Sequence, residues 1–406
     1  MDPQLARTLT RAGLTRRGFL RSGGAGGLVL GGAAALSACG GISGSDEAAE
    51  EEEIAAATGG GSEAAGSGSL AISSWIQYID VSDDDENERP TLNQFTEETG
   101  IAVEYFEDVN SNEEYFATVR EQLDAGEPIG RDLVVLTDWM AGRLLGFGWL
   151  SELNLDNIPN ASNLNERLAE VAFDPERAYS LPWQSGLTGI GYNREELGRE
   201  LTSVNDLFAE DLAGRVTFLA EMRDTMGLIL ASMDIDPLNH EFSDYERAIE
   251  RLQQAVDAGQ IRQFPGGDYT ADLAAGNAVA AIGWSGDIFQ LQFDDPALEF
   301  VVPTEGSLLW SDNMLVPANA ENQAAAEQFM DFVYRPEIAA QIAAYVNYIT
   351  PVSGAQEALA EFDPELAESE FIFPTEESLA NTFDFKLLDE DEEAEYQNLF
   401  QGVIGA

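Results

Sequence analysis

Two carboxylates three residues apart, Glu221 and Asp224, have a spacing that could support binding chemistry. On a helical turn, residues at this spacing lie on the same face. If that face is buried, the two carboxylates repel each other, and a bound cation relieves the repulsion. The alternative is a solvated helix face, which is common in acidic chains. The pair therefore indicates either a cation site or an ordinary acidic surface.

Histidine and cysteine chemistry is nearly absent, because the sequence contains one His, His240, and one Cys, Cys39. These counts exclude metal sites built from nitrogen and sulfur ligands. His240 follows Asp236 and Pro237 in a loop-like context, so we expect it on the surface and not in catalysis. The G-x-S-x-G, P-loop and G-x-G-x-x-G motifs do not occur. Carboxylate-based catalysis, as in glycoside hydrolysis, stays open as an enzymatic alternative.

The chain is strongly acidic, with 74 Asp and Glu residues against 20 Lys and Arg residues and a formal net charge of -54. Such a surface repels phosphate, so a nucleic-acid partner is not expected. A cationic ligand would be attracted over a long range, although less so in salt. Lys386 is the only lysine, and an acidic, lysine-poor composition is also typical of solvated surfaces in salt-adapted proteins.

The N-terminus carries an export pattern. Residues 15–21 read T-R-R-G-F-L-R, which matches the twin-arginine signal [ST]-R-R-x-F-L-[KR] at every position. The Gly-rich stretch 22–38 is too weakly hydrophobic to predict a transmembrane helix. It ends in L-S-A-C, a lipobox, so we expect residues 1–38 to be a signal peptide and Cys39 to be lipidated. This pattern predicts a lipoprotein on the outer face of the cytoplasmic membrane, in a periplasmic or extracellular location.

Residues 39–68 form a predicted acidic linker after the lipid anchor. The segment is Gly, Ser, Ala and Glu with two isoleucines and no aromatic residue. It cannot bury enough apolar surface to offset the entropy of ordering its backbone. We therefore expect a flexible tether between the membrane and the folded part.

From residue 69 onward the pattern alternates between strands and helices. Residues 101–106 alternate like a strand, and 132–136 form a continuous apolar strand of the kind buried in a parallel sheet. Helical stretches end at Gly100, Gly126 and Gly259, each a typical C-terminal signal. This order predicts an α/β fold, and the chain length suggests two domains.

A series of short motifs runs in collinear order from about residue 73 to residue 383. They are W-I-Q-Y at 75–78, F-T-E-E-T-G-I at 95–101, D-L-V-V at 132–135, Y-S-L-P-W at 179–183, G-I-G-Y-N at 189–193, E-M-R-D at 221–224, W-S-G-D at 284–287, W-S-D at 310–312, V-P-A-N-A at 316–320 and Y-I-T-P at 348–351. Together they resemble the spermidine/putrescine-binding proteins of ABC transporters, the polyamine branch of the bacterial extracellular solute-binding proteins.

The resemblance implies a two-lobed, type II periplasmic-binding-protein-like α/β fold with the ligand cleft between the lobes. On the residues of this sequence, it implies a first lobe of residues 69–186 plus 312–355. The second lobe would contain residues 187–311 plus 356–406, with crossover strands near residues 187 and 312. The implied function is capture of a polyamine by cleft closure and delivery to a membrane permease. No enzyme activity, cofactor or metal is implied, and we expect a monomer.

The cleft residues of that family map onto aromatic, hydroxyl and carboxylate positions of this chain. The implied ligand-binding residues are Trp75, Tyr78, Thr137, Trp139, Glu221, Asp224, Trp284, Trp310, Asp312 and Tyr348. Aromatic faces suit both the methylenes and the ammonium groups of a polyamine. Buried carboxylates suit its charged ends.

The sequence departs from the family at several positions. The carboxylate pair is Glu then Asp, where the family usually has Asp then Glu, which alters the reach of both side chains. Asp287 is expected to brace the turn after Trp284, and a last polar cleft residue could fall near Asp384. Another cargo, such as an oligosaccharide or a cationic metal complex, and a lipid-anchored glycosidase using Glu221 or another acid remain alternatives.

Overall fold

The structure is a computed structural model that describes residues 68–405 except 83, 86 and 387. The predicted signal peptide, lipobox and most of the linker lie outside the described residues. The strands of the described part are β1 (Ser69–Trp75), β2 (Ala102–Val109), β3 (Leu133–Thr137), β4 (Ser180–Asn193), β5 (Val216–Thr217), β6 (Ile261–Gln263), β7 (Ala280–Trp284), β8 (Leu298–Val301), β9 (Ser307–Leu315) and β10 (Thr382–Phe383).

The helices alternate with these strands, so the predicted α/β class is confirmed. They are α1 (Pro90–Thr99), α2 (Asn112–Asp124), α3 (Asp138–Gly146), α4 (Arg194–Leu197), α5 (Met222–Ala231), α6 (Phe242–Asp257), α7 (Tyr269–Ala274), α8 (Ser285–Gln292), α9 (Gln323–Val333), α10 (Pro336–Val346), α11 (Ala355–Ala360) and α12 (Glu390–Ile404). None of the helices in the described part is long and apolar enough to cross a membrane.

Local signals explain where these helices begin and end. Pro90 occupies the first turn of α1, where a missing backbone N–H costs nothing. Gly100 ends α1 in the left-handed conformation, with φ of 77°, and its N–H donates to the Thr96 carbonyl. The boundaries predicted at Gly100 and near Gly259 are therefore confirmed.

The strands form one hydrogen-bonded network in the order β2-β1-β3-β9-β4-β7-β5-β6, with β10 paired to β9 and β8 paired to β4. At one end, β1 runs parallel to β2 and to β3. At the other end, β5 runs parallel to β6 and to β7. We call these two parallel groups, with their helices, the first half and the second half.

Strands β4 and β9 join the two halves. They pair antiparallel along Ser180–Thr188 of β4. Beyond that stretch, β4 pairs with β7 in the second half, and the end of β9 pairs with β3 in the first half. Each half is thus linked to the other through the centre of the sheet, and the chain passes between them more than once.

The second half carries an aromatic cluster that corrects one prediction. His240 is 9% exposed and packs beside Tyr245 and Tyr396, whose rings stack at 4.0 Å between centroids. The expectation of a surface position for His240 is therefore wrong. The cause is α12, which packs against α6 and covers the loop that carries the imidazole.

Candidate functional site

Strands from the parallel groups of both halves end at one cavity between the two halves. Strand β1 ends at Trp75, β3 ends at Thr137 and β7 ends at Trp284. The joining strand β9 adds Trp310 and Asp312 at the floor. The cavity has a volume of about 270 Å³ and draws its walls from both halves. Ligands of open α/β sheets commonly bind at such strand ends.

Nine of the ten predicted ligand-binding residues line this cavity. They are Trp75, Tyr78, Thr137, Glu221, Asp224, Trp284, Trp310, Asp312 and Tyr348. These positions come from six separate stretches of sequence. Their convergence is a property of the fold, because no two of the stretches are adjacent in the chain.

Trp139 is the exception to this convergence. It lies in the first turn of α3, outside the lining of the cavity, and its ring faces the guanidinium carbon of Arg223 at 4.1 Å. The ring instead borders a neighbouring cavity of about 650 Å³ that Glu221 and Arg223 also line. Trp139 therefore lies outside the cavity that the other nine residues line, and its role in ligand binding stays a prediction.

Asp312 lies at the floor of the cavity within a network of hydroxyl groups. The Tyr78 hydroxyl donates to its Oδ2 at 2.9 Å, and the Thr137 hydroxyl donates to its Oδ1 at 2.7 Å. Burial raises the pKa of Asp312 to about 7, although these two hydrogen bonds oppose the rise. The carboxyl is thus held in place, and its ionised form is poorly solvated.

Asp224 and Glu221 lie at the start of α5 on the second-half wall. Thr188 and the Trp284 indole N–H both donate to Oδ1 of Asp224, the latter at 3.1 Å. Glu221 Oε1 accepts a hydrogen bond from the backbone N–H of Asn112 at 2.9 Å. Burial, followed by the negative charge of Asp224, raises the pKa of Glu221 to about 8. The pair is buried, so the solvated helix face is excluded.

Asp287 is a fourth acid on the cavity wall, and the sequence interpretation missed this role. The Tyr348 hydroxyl donates to its Oδ1 at 2.6 Å. Burial raises the pKa of Asp287 to about 6. Its position three residues after Trp284, in the first turn of α8, was a usable signal, because that spacing turns both side chains toward one side.

Further lining residues gave no sequence signal. Asn110 and Asn112 come from the turn after β2, and Phe385 comes from the segment before α12. The residue suggested for the last polar position, Asp384, borders a small neighbouring cavity and is absent from the lining of this one.

An aromatic series covers the remaining wall. Trp75 contacts Trp284 edge to face at 5.9 Å between ring centroids, and Trp284 contacts Trp310 at 6.3 Å. The series continues through Tyr348 to Tyr78. Gly186 makes room for it, because a Cβ there would lie 2.5 Å from the Trp310 ring. The cavity therefore offers flat apolar faces between the carboxylates.

The cavity contains acids without bases. Its described lining includes Glu221, Asp224, Asp287 and Asp312, together with Asp268, and it includes no Lys, Arg or His. Within the described part of the chain, no group of three or more His, Cys, Asp or Glu residues is arranged to hold a metal ion. Buried carboxylates without a partner cation are costly to ionise, so this arrangement is chemically suited to a cationic ligand.

Comparison with known proteins defines the class. Residues 91–370 match the family of bacterial extracellular solute-binding proteins, which is more than half of the chain. The chain therefore belongs to this family.

Two polyamine-binding proteins of Escherichia coli are similar to this chain. The spermidine/putrescine-binding periplasmic protein of Escherichia coli is 26% identical over 319 residues, covering 78% of this chain and 86% of the relative. The putrescine-binding periplasmic protein PotF of the same organism is 29% identical over 346 residues, covering 80% and 88%.

A solved structure supports the same relationship. The spermidine/putrescine ABC transporter substrate-binding protein PotD of Streptococcus pneumoniae is 27% identical, has a TM-score of 0.67, and is matched over 83% of this chain and 98% of its own. The predicted architecture, the two-lobed α/β fold of type II periplasmic binding proteins, is thus confirmed.

Proposed function

We propose that this chain is the substrate-binding component of an ABC importer and that its cargo is a polyamine, spermidine or putrescine. The observation that carries the proposal is the cavity with four buried or partly buried carboxyl groups, a series of aromatic rings and no basic side chain. The names of the similar binding proteins agree with this chemistry. An oligosaccharide would use the aromatic faces, but it would not need the converging acids.

The chemistry of a polyamine matches the two kinds of surface. Its ammonium groups can form charge-assisted hydrogen bonds with Asp312, Asp224 and Asp287. Its methylene chain can lie against Trp284 and Trp310, where each ammonium near a ring face gains about 0.5–2 kcal/mol from cation–π attraction. Binding also relieves repulsion between carboxyl groups that share one dry cavity.

Each proposed lobe of the binding protein corresponds to one half of the sheet. We propose a first lobe of residues 69–186 and 312–355 and a second lobe of residues 187–311 and 356–406, with one adjustment. Helix α11 packs against α10, so we assign residues 356–360 to the first lobe. Closure would bend β4 and β9 where they pass between lobes, as in a hinge motion biased by ligand.

Export and anchoring complete the proposal. The twin-arginine motif at residues 15–21 and the lipobox ending at Cys39 support export of a folded monomer and its lipid attachment on the outer face of the cytoplasmic membrane. The closed form would then dock on a membrane permease. The chain needs no cofactor for this role and has no enzymatic step.

Calorimetric titration of the full-length chain tests the cargo. Spermidine, putrescine and a neutral maltodextrin would each be titrated at low and at high salt. We expect saturable one-to-one heat from a polyamine that persists at high salt, because a buried site is screened far less than surface charge. Polyamine heat that vanishes in salt, or heat from the maltodextrin alone, would refute the assignment.

A further inference from the structure

The turn between β2 and α2 is a part of the first half that contacts the second half beside the cavity. Strand β2 ends at Val109 and α2 begins at Asn112, so Asn110 and Ser111 form the connection. Ser111 caps the helix, because its hydroxyl accepts the N–H of Glu114 at 3.2 Å. The cap fixes the backbone of this turn, and both asparagines border the cavity.

The first contact across the mouth joins Asn112 to the second half. Its backbone N–H donates to Glu221 Oε1 at 2.9 Å, and its side-chain amide approaches the same oxygen at 3.4 Å. The amide also donates to the Thr137 hydroxyl at 2.9 Å, which anchors Asn112 to its own half. The contact occupies one acceptor oxygen of Glu221 with a donor from the first half.

The second contact is a close approach of two backbones. The Gly267 N–H points to the Asn110 carbonyl oxygen at 3.4 Å. A Cβ on Gly266 would lie 2.7 Å from that carbonyl oxygen, closer than real Cβ atoms come to other groups. The Asn110 amide nitrogen lies equally close, but the carbonyl oxygen is backbone, so side-chain rotation alone cannot relieve the contact. Gly146, the last residue of α3, lies outside this contact, and a Cβ there would meet nothing within 4 Å beyond its own helix.

We propose a latch between the two halves, formed by residues 110–112, Glu221 and Gly266–Gly267. The latch holds the cleft closed independently of cargo. Gly266 is required in it because a larger residue would keep the two halves from meeting. The inference rests on the proposed function in so far as closure serves binding. Opening the cleft would break both contacts at once, since they share one turn. The latch thus sets how much closed protein exists before ligand arrives.

The consequence for binding follows from population arithmetic. If cargo binds tightly only to the closed form, its apparent affinity is reduced in proportion to the closed fraction. Gly266→Ala should favour the open form and lower polyamine affinity by about tenfold or more, mostly through faster dissociation. Gly146→Ala should change affinity by less than about twofold, because Gly146 lies outside both the latch and the cavity lining and its Cβ has room. Neither Gly266 nor Gly146 has a left-handed φ, so both substitutions are free of backbone strain.

The test uses the full-length chain and three proteins: wild type, Gly266→Ala and the matched control Gly146→Ala. Hydrogen exchange without ligand reports the latch directly, because the Asn112 N–H is protected only while it is bonded to Glu221. We expect slow exchange at residues 110–112 in wild type and Gly146→Ala, and fast exchange in Gly266→Ala. Calorimetry with spermidine then measures the effect on affinity, and thermal unfolding confirms that each variant is folded.

The outcomes separate the latch from the cargo. Equal exchange at residues 110–112 in all three proteins would overturn the latch, whatever the ligand data show. Rapid exchange of Asn112 in ligand-free wild type would do so without any variant. If the exchange pattern is as expected but spermidine gives no heat with wild type, the latch stands and the polyamine assignment fails.

Discussion

Two neighbouring regions differ in whether their buried acidic side chains have a basic partner. In the cavity of about 270 Å³, four carboxyl groups converge and no basic side chain lines the wall. On the other side of Glu221, the cavity of about 650 Å³ includes Arg223, which forms a buried salt bridge with Glu393 and lies against Trp139. Glu393 has a cation supplied by the fold, whereas the carboxyls of the smaller cavity have hydroxyl, amide and indole donors only.

This difference indicates which buried acids stabilise the fold and which ones serve ligand binding. A buried carboxylate with a guanidinium partner is already neutralised, so its removal should affect folding. A buried carboxylate without a guanidinium partner destabilises the ligand-free fold when it ionises. Removing such a carboxylate should therefore affect ligand binding and not folding. The same residue type therefore has two roles, and the presence of a partner cation distinguishes them.

The largest expected effect comes from removing charge at the floor of the smaller cavity. Asp312→Asn should weaken spermidine binding at least about 30-fold, since truncating one member of a buried charge pair costs roughly 2–5 kcal/mol. Calorimetry on the purified protein measures the loss. Asp80→Asn is the matched control, because Asp80 is also buried and accepts bonds from Thr91 and Gln341, but it lies outside the cavity lining. Near-wild-type affinity in Asp312→Asn would contradict the site.

Removing charge from the salt bridge between Arg223 and Glu393 should lower stability and leave ligand affinity nearly unchanged. Glu393→Gln leaves Arg223 buried without its partner and should lower the free energy of unfolding by about 3 kcal/mol. Spermidine affinity should change by less than about threefold. Urea unfolding and calorimetry measure the two quantities, and a large loss of affinity with unchanged stability would erase the distinction between the regions.

Ligand affinity should rise with pH because the cavity acids must ionise to bind a cation. The folded pKa of Asp312, about 7, lies above its ordinary value of 3.8. Its contribution to the stability of the ligand-free fold is therefore complete below about pH 4 and is lost as pH rises through 7. Aliphatic amines stay charged throughout this range. We expect affinity to increase about tenfold from pH 6 to pH 8, with proton release on binding.

Titrations in buffers of different ionisation heat measure that proton release directly. Heat that depends on the buffer would show that cavity carboxyls lose protons as cargo enters. A pH-independent affinity with no proton release would show that the four acids are already ionised without ligand.

The smallest expected effect concerns Trp139. Trp139→Leu removes the ring beside Arg223 and should lower the free energy of unfolding by about 1–2 kcal/mol. Its effect on spermidine affinity should stay within about twofold. Urea unfolding and calorimetry again separate the two. A tenfold loss of affinity would show that Trp139 contributes to ligand binding despite its position outside the cavity.

The position of Trp139 shows the limit of the motif comparison. The resemblance placed Thr137 and Trp139 together in the cleft, as a hydroxyl and an aromatic residue after the same strand. Strand β3 ends at Thr137 and α3 begins at Asp138, which turns the Trp139 side chain away from the cavity. The fold class and the glycine-terminated helices could be predicted because their signals are local.

Contacts between residues far apart in the chain could not be predicted from local sequence patterns. The motifs at 179–183 and 189–193 belong to one continuous strand, β4, whose length depends on pairing with β9 more than 100 residues later in the chain. The bond between Asn112 and Glu221 likewise joins residues 109 positions apart. Asp287 was visible as a residue type, but only the arrangement of α8 beside Tyr348 shows that it borders the cavity.

A crystal structure of the protein grown with spermidine would show whether the cavity acids bind the cargo. We expect the polyamine in the cavity of about 270 Å³, with one amine nitrogen within about 3 Å of an Asp312 oxygen and another beside Asp224, Asp287 or Glu221. Its methylenes should lie against Trp284 or Trp310. A polyamine bound in the larger cavity beside Arg223, or one whose nitrogens contact none of these four acids, would refute the proposed binding site.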